Sequence, residues 1–156
     1  MNKKLLLFLF ACFFCLSKNL VSFALENDFL VPAGEVFSAV LAQEINSESV
    51  TVGNKVEAIF VEDFIYNDKV IASKDSVMQG SVVAYAKKTK NEDAFIQIKF
   101  TTIRTPYNNL IPVSAVIKTK DTSGILKSKD NNGVVVLKPN ERIEIEFVQP
   151  ITMKAQ

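Results

Sequence analysis

From Ala94 to Thr105 the chain alternates with a period of two, Phe95, Gln97, Lys99, Thr101 and Ile103 against Ile96, Ile98, Phe100, Thr102 and Arg104. Only an extended strand sends successive side chains to opposite faces. The pattern therefore predicts a strand with Ile96, Ile98 and Phe100 on a core and Gln97 and Lys99 in water. The same period recurs from Lys55 to Glu62, where Val56, Ala58 and Phe60 share a face. It recurs again from Arg142 to Val148, where Ile143, Ile145 and Phe147 point in and Arg142, Glu144 and Glu146 point out. Glu35 to Gln43 sets Phe37, Ala39 and Leu41 against Val36, Ser38 and Val40. Its β-branched content and the corner before it favour a strand over a short helix.

Turn residues separate these runs. Pro32-Ala33-Gly34 predicts a sharp corner, and Asn67-Asp68 predicts a tight hairpin joining Phe64-Ile65 to Val70-Ile71. Gly80 inside the run Val77–Lys88 predicts a bulge, and Pro112 inside Leu110–Thr119 an edge position or a bulge. Asp130-Asn131-Asn132-Gly133 lies between Ile125-Leu126-Lys127 and Val134–Leu137, and Asn-Gly between apolar runs predicts a hairpin. No window after Ala24 sustains helical periodicity. The expectation is an all-β fold, a small antiparallel barrel or barrel-like sandwich of about 8–9 strands. Closure removes vulnerable sheet edges, which favours the barrel.

The N-terminus is of another kind. Lys3 and Lys4 precede the uncharged run Leu5–Leu16, which is shorter than the about 20 apolar residues that span a bilayer. With the small residues Ser22 and Ala24 it reads as a secretory signal helix, residues 1–24, cleaved after Ala24. Residues 25–156 are then a single β-barrel-like domain, exported to the periplasm or cell envelope. Membrane association would follow only from an uncleaved signal or from lipidation of Cys12, which follows Leu9-Phe10-Ala11.

Cleavage removes both cysteines, Cys12 and Cys15. It also removes Lys3, Lys4 and Lys18, which leaves 15 basic residues against 17 acidic ones, a net charge of −2. Such a domain lacks the clustered cations that nucleic acid requires. Lys87-Lys88-Thr89-Lys90 sits beside Asn91-Glu92-Asp93 and reads as a solvated turn. The chain has no histidine, so Ser-His-Asp and Cys-His catalysis and His/Cys zinc sites are excluded. Its five glycines are isolated, so no phosphate-binding loop occurs, and nothing points to a cofactor.

Three groups of acids could carry chemistry. Glu62 and Asp63 are adjacent and point to opposite faces of a strand. Glu144 and Glu146 share an outward face with Arg142. Asp130–Gly133 lacks the alternating ligands and closing glutamate of a calcium loop. None predicts an enzyme, although a carboxylate hydrolase with acids facing across a cleft stays a third alternative. Tyr66, Tyr85 and Tyr107 are the candidate ligand or partner surface, with packing at the barrel ends as the plainer alternative.

One family resemblance rests on Val31-Pro32-Ala33-Gly34-Glu35-Val36, Ile45-Asn46-Ser47, Val61-Glu62-Asp63, the turn at Asn67-Asp68, Val70-Ile71-Ala72 and Gly80. Over roughly residues 30–85 this resembles the periplasmic β-barrel domain of the TrbI-like channel subunits of type IV secretion and conjugation systems. The second corner, Ala72–Asp75, has neither proline nor glycine, and no long helical antenna segment or N-terminal stalk is expected. The resemblance implies a stand-alone relative of that barrel in an exported envelope protein, with no catalytic residues to carry over. The functional expectation is a non-enzymatic structural or interaction domain with a protein partner in the envelope. A periplasmic carbohydrate- or small-ligand-binding domain is the alternative.

Overall fold

The computed structural model describes residues 29–153 except residue 122 and residues 129–131, so the expected signal helix and cleavage point lie outside the described residues. Thirteen strands and no helix form among the described residues. They are β1 (Phe29–Val31), β2 (Val36–Leu41), β3 (Ile45–Asn46), β4 (Lys55–Phe60), β5 (Phe64–Tyr66), β6 (Lys69–Ala72), β7 (Val77–Ala86), β8 (Phe95–Arg104), β9 (Leu110–Ile117), β10 (Ile125–Lys127), β11 (Val136–Leu137), β12 (Arg142–Phe147) and β13 (Ile151–Met153).

Six of them close a ring. Hydrogen bonding runs β8-β7-β4-β2-β12-β9 and returns from β9 to β8, all antiparallel. The barrel expected from the period-two pattern is thus the fold, with six strands in its wall and seven shorter ones outside it. Alternation fills the interior: Phe37, Ala39 and Leu41 of β2, Val56, Ala58 and Phe60 of β4, and Ile143, Ile145 and Phe147 of β12 are all buried.

Two expectations need correction. Strict alternation puts Ile103 on the outward face with Gln97 and Lys99, yet it is as buried as Ile96, Ile98 and Phe100. The register against β9 steps from Phe100–Ala115 to Thr102–Pro112, and that against β7 steps at Gln79/Gly80. The extra residue of a bulge reverses the phase of every side chain after it. Pro112 sits at this irregularity, beyond the stretch of β9 that pairs with β12, so its missing N–H costs the β9–β12 ladder nothing.

The second correction concerns the Asn-Gly segment. Asp130 and Asn131 lie outside the described residues, but the runs that flank the segment do not pair with each other. β10 adds to β8, with Leu126 opposite Ile96, and β11 adds to β3, with Leu137 opposite Ile45. β9 pairs only with the distal part of β8, from Lys99 onward, which leaves the edge at Phe95–Gln97 for β10. Tertiary pairing overrides the local turn preference, and Gly133 instead takes φ +68° while its carbonyl accepts from the Ala94 N–H at 2.8 Å.

The Phe64–Ile71 hairpin forms as expected. Ile65 pairs with Val70 and Tyr66 with Lys69, and Asn67 and Asp68 both have positive φ (48° and 60°), as a type I′ turn requires. After β12 and Pro150, β13 pairs with β1.

Candidate functional site

The registers define the two ends of the barrel. At one end β4 and β12 finish, β7 begins, and the turn from β8 to β9 lies. The β5–β6 hairpin, inserted between β4 and β7, belongs to this end. Phe37 stacks on Phe60 at 4.6 Å and also touches Phe64 (5.4 Å) and Phe147 (5.1 Å), so the hairpin is packed onto the barrel by its own Phe64. The other side of this end stays in water. Ile65 and Val70, directly opposite each other, are each 56% exposed, Tyr107 is 87% exposed and Leu110 is 64% exposed.

At the opposite end, beyond Ile117 where β9 stops pairing with β12, a cleft of about 820 Å³ opens. Its walls are β10, the loop from β9 to β10, β11 and the start of β12. The loop is held by a chain of hydrogen bonds. The Thr119 and Ser123 hydroxyls each donate to Asp121 Oδ1 at 2.7 Å, and the Ser123 N–H donates to it at 3.2 Å. Thr119 Oγ1 in turn accepts from the Gly124 N–H at 3.0 Å, and Ser123 Oγ from the Ile125 N–H at 3.1 Å. Gly124 is buried with φ +67°, and a Cβ there would lie 2.7 Å from Val116 Cβ. The loop therefore comes down on β9 at Val116, which is buried.

Hydrogen bonds from Ser123 first, then Thr119, favour the anion and lower the Asp121 carboxyl from 3.8 to about 2. Because the folded value is depressed, the stabilisation these hydrogen bonds give through the Asp121 anion is fully present above about pH 4 and is lost as pH falls toward 2. Amide chemical shifts of Ser123 and Gly124 followed from neutral pH downward should titrate together near pH 2. A midpoint near 3.8 would contradict the loop geometry.

The three tyrosines are not gathered into one surface. Tyr66 is half-buried in the hairpin and packs on the core, and Tyr107 tops the turn at the same end. Tyr85 lies opposite Ile96 near the far end of β7, about 26 Å along the strand from Val77 at about 3.3 Å per residue. None of the three lines the cleft.

The acids have structural partners. Glu62 pairs with Arg142 at 3.4 Å, Asp63 Oδ1 accepts from the Lys74 N–H at 2.6 Å, and Glu144 pairs with Lys118 at 3.7 Å. Glu146 is half-buried beside the β9 pairing. Among the described residues no group of three or more His, Cys, Asp or Glu side chains is placed to hold a metal ion, and no helix is long and apolar enough to cross a membrane. Lys88 Nζ donates to the Asn132 carbonyl, at the edge of the segment weighed as a calcium loop.

The sequence contained no local sign of the cleft. Its walls come from strands of two or three residues whose partners lie far away in the chain.

No protein-family model and no curated protein matches the chain. Among solved structures, it is similar to ComB10 of the Com type IV secretion system of Helicobacter pylori, with a TM-score of 0.56 and 16% sequence identity over 79% of this chain and 89% of that one. At the level of fold, this bears out the resemblance to the barrel domain of type IV secretion channel subunits read from residues 30–85.

Proposed function

We propose that the chain is a non-catalytic, exported barrel domain that docks protein partners in the cell envelope as part of a secretion-related assembly. The observation that carries this reading is the apolar ground at the hairpin end. Ile65, Val70, Tyr107 and Leu110 stand in water while the core beneath them is closed. Exposed apolar ground of this kind is typical of protein-docking surfaces. The fold shared with a type IV secretion component supports the assignment, as does the engagement of Glu62, Asp63 and Glu144 in structural contacts.

The test is site-specific photocrosslinking of the full chain in its native cells, with p-benzoylphenylalanine at position 65, 107 or 99. Lys99 is exposed in the middle of β8, on the barrel wall. Discrete adducts are expected from positions 65 and 107 and none from 99, in an envelope or periplasmic fraction. No adduct from either end position, equal adducts from all three, or recovery of the chain in the cytoplasm would refute the reading.

A further inference from the structure

We propose that the cleft at the opposite end of the barrel is a strand-addition groove for an extended peptide segment in which acidic residues alternate with apolar ones. The inference rests on the reading of the chain as a docking domain and names a partner chemistry for a second surface.

Three unpaired strand edges meet in this cleft. β10 pairs with β8 on one side and with no described strand on the other, and β11 pairs only with β3. β12 pairs with β2 from Arg142 to Glu146 but with β9 only from Ile145 onward, and the Glu144 carbonyl accepts from the Lys118 N–H, so the backbone of Arg142 on the cleft side lacks a strand partner. Residues of all three edges line the cleft. Open backbone edges beside a concavity are what an incoming strand needs, since its main-chain groups complete the ladder and alternate side chains find the floor. The floor is apolar, formed by Ile117, Leu126, Val134, Leu137 and Ile143.

Charge selects the occupant. The acids of the cleft are engaged: Glu144 by Lys118, Glu141 by the Lys138 N–H at 2.9 Å, and Asp121 by Thr119 and Ser123. Lys120, Lys127 and Lys138 are exposed on its rim and form no ion pair among the described residues. The charged side chains that line the groove are Lys118, Lys120, Lys127, Lys138 and Arg142 against Asp121, Glu141 and Glu144, five cations against three anions, so its net charge is +2 in a chain whose total is close to neutral. A strand that sends apolar side chains to the floor and carboxylates to the rim satisfies both. A second copy of this chain does not fit, because antiparallel pairing of two β10 edges would bring Lys127 of each copy close to the other's. Lysine on an edge discourages such self-association.

The probe is a fluorescein-labelled decapeptide of alternating Glu and Val, titrated with the purified full-length protein and read by fluorescence anisotropy. Saturable binding that weakens with added salt is expected. It should weaken at least about tenfold in the triple variant Lys120→Glu, Lys127→Glu, Lys138→Glu, because all three side chains face one ligand. Circular dichroism of the variant should match the parent, as the three positions are exposed. A Lys-Val decapeptide should not bind, and N-methylation of alternate peptide amides should abolish binding if main-chain pairing carries it. Failure of the Glu-Val peptide to bind, unchanged affinity in a folded triple variant, or equal binding of the N-methylated peptide would each overturn the groove. Such a failure with crosslinking intact at position 107 removes the groove alone, whereas loss of that crosslinking removes the docking reading of the hairpin end.

Discussion

Phe37→Ala is expected to lower the free energy of unfolding by about 4 kcal/mol or more. Truncating a buried phenylalanine removes its transfer free energy and leaves a cavity, together about 3–5 kcal/mol. Here the ring also makes three aromatic contacts, with Phe60, Phe64 and Phe147. Each such pair adds roughly 0.5–1.5 kcal/mol beyond its area. Against a total of about 5–15 kcal/mol for an ordinary domain, this is a large fraction. The three partners come from β4, β5 and β12, so one ring joins two barrel strands to the hairpin outside the wall. Denaturant titration should show a lower midpoint with an unchanged slope. Phe37→Leu, which keeps most of the volume, should lose much less. A loss below about 1 kcal/mol for the alanine variant would mean that the hairpin and the barrel end are not held together as described.

The second large effect is expected at Gly80. Its backbone lies in β7 where the register against β8 steps, and it has no unusual φ. A Cβ at this position would lie 2.8 Å from Phe100 Cα, and nearer still to the Lys99 carbonyl oxygen. Those are backbone atoms of the neighbouring wall strand, so neither can swing aside. Gly80→Ala should therefore cost about 2–3 kcal/mol, in the upper range for overpacking, and Gly80→Val more. Gly53 separates the two possible causes. It has φ +90°, and a Cβ added there would meet nothing within 4 Å, so Gly53→Ala should cost only the left-handed penalty, about 1 kcal/mol. Equal losses at positions 53 and 80, measured by the same denaturant titrations, would rule out the close approach of β7 to β8 as the reason for glycine.

The parts of the fold that were legible in advance are those governed by neighbouring residues. Ile143, Ile145 and Phe147 occupy the core because a strand alternates whatever its partner. Asn67-Asp68 makes its hairpin because both residues tolerate the left-handed region and the strands they join are adjacent in sequence. The corner after Ala72 forms without glycine or proline because Asp75 takes φ 66°.

What escaped was set at a distance. The phase of Ile103 depends on a bulge whose partners are Gly80 and Pro112, about 20 and 10 residues away. The Asn132-Gly133 turn chemistry was real, since Gly133 does take a positive φ, but the strands on either side found other partners. Tyr66 and Tyr107 share one end of the barrel, but strand direction carries Tyr85 to the other, so the three form no single surface. The candidate sites followed the same rule. Exposure of Ile65 and Val70 is a consequence of the hairpin's lying outside the wall, and the groove is a consequence of edges left over when the ring closes.

By itself, then, the order of residues determined that this chain makes strands, which of their faces are apolar, where it turns, and that histidine and thiol chemistry are not available to residues 25–156. The tertiary structure alone decided which strands close the ring, which edges remain open, and which apolar side chains stay in water. The reason is physical: the direction of a side chain is a local property of an extended backbone, whereas the partner of a backbone edge depends on every other strand competing for it.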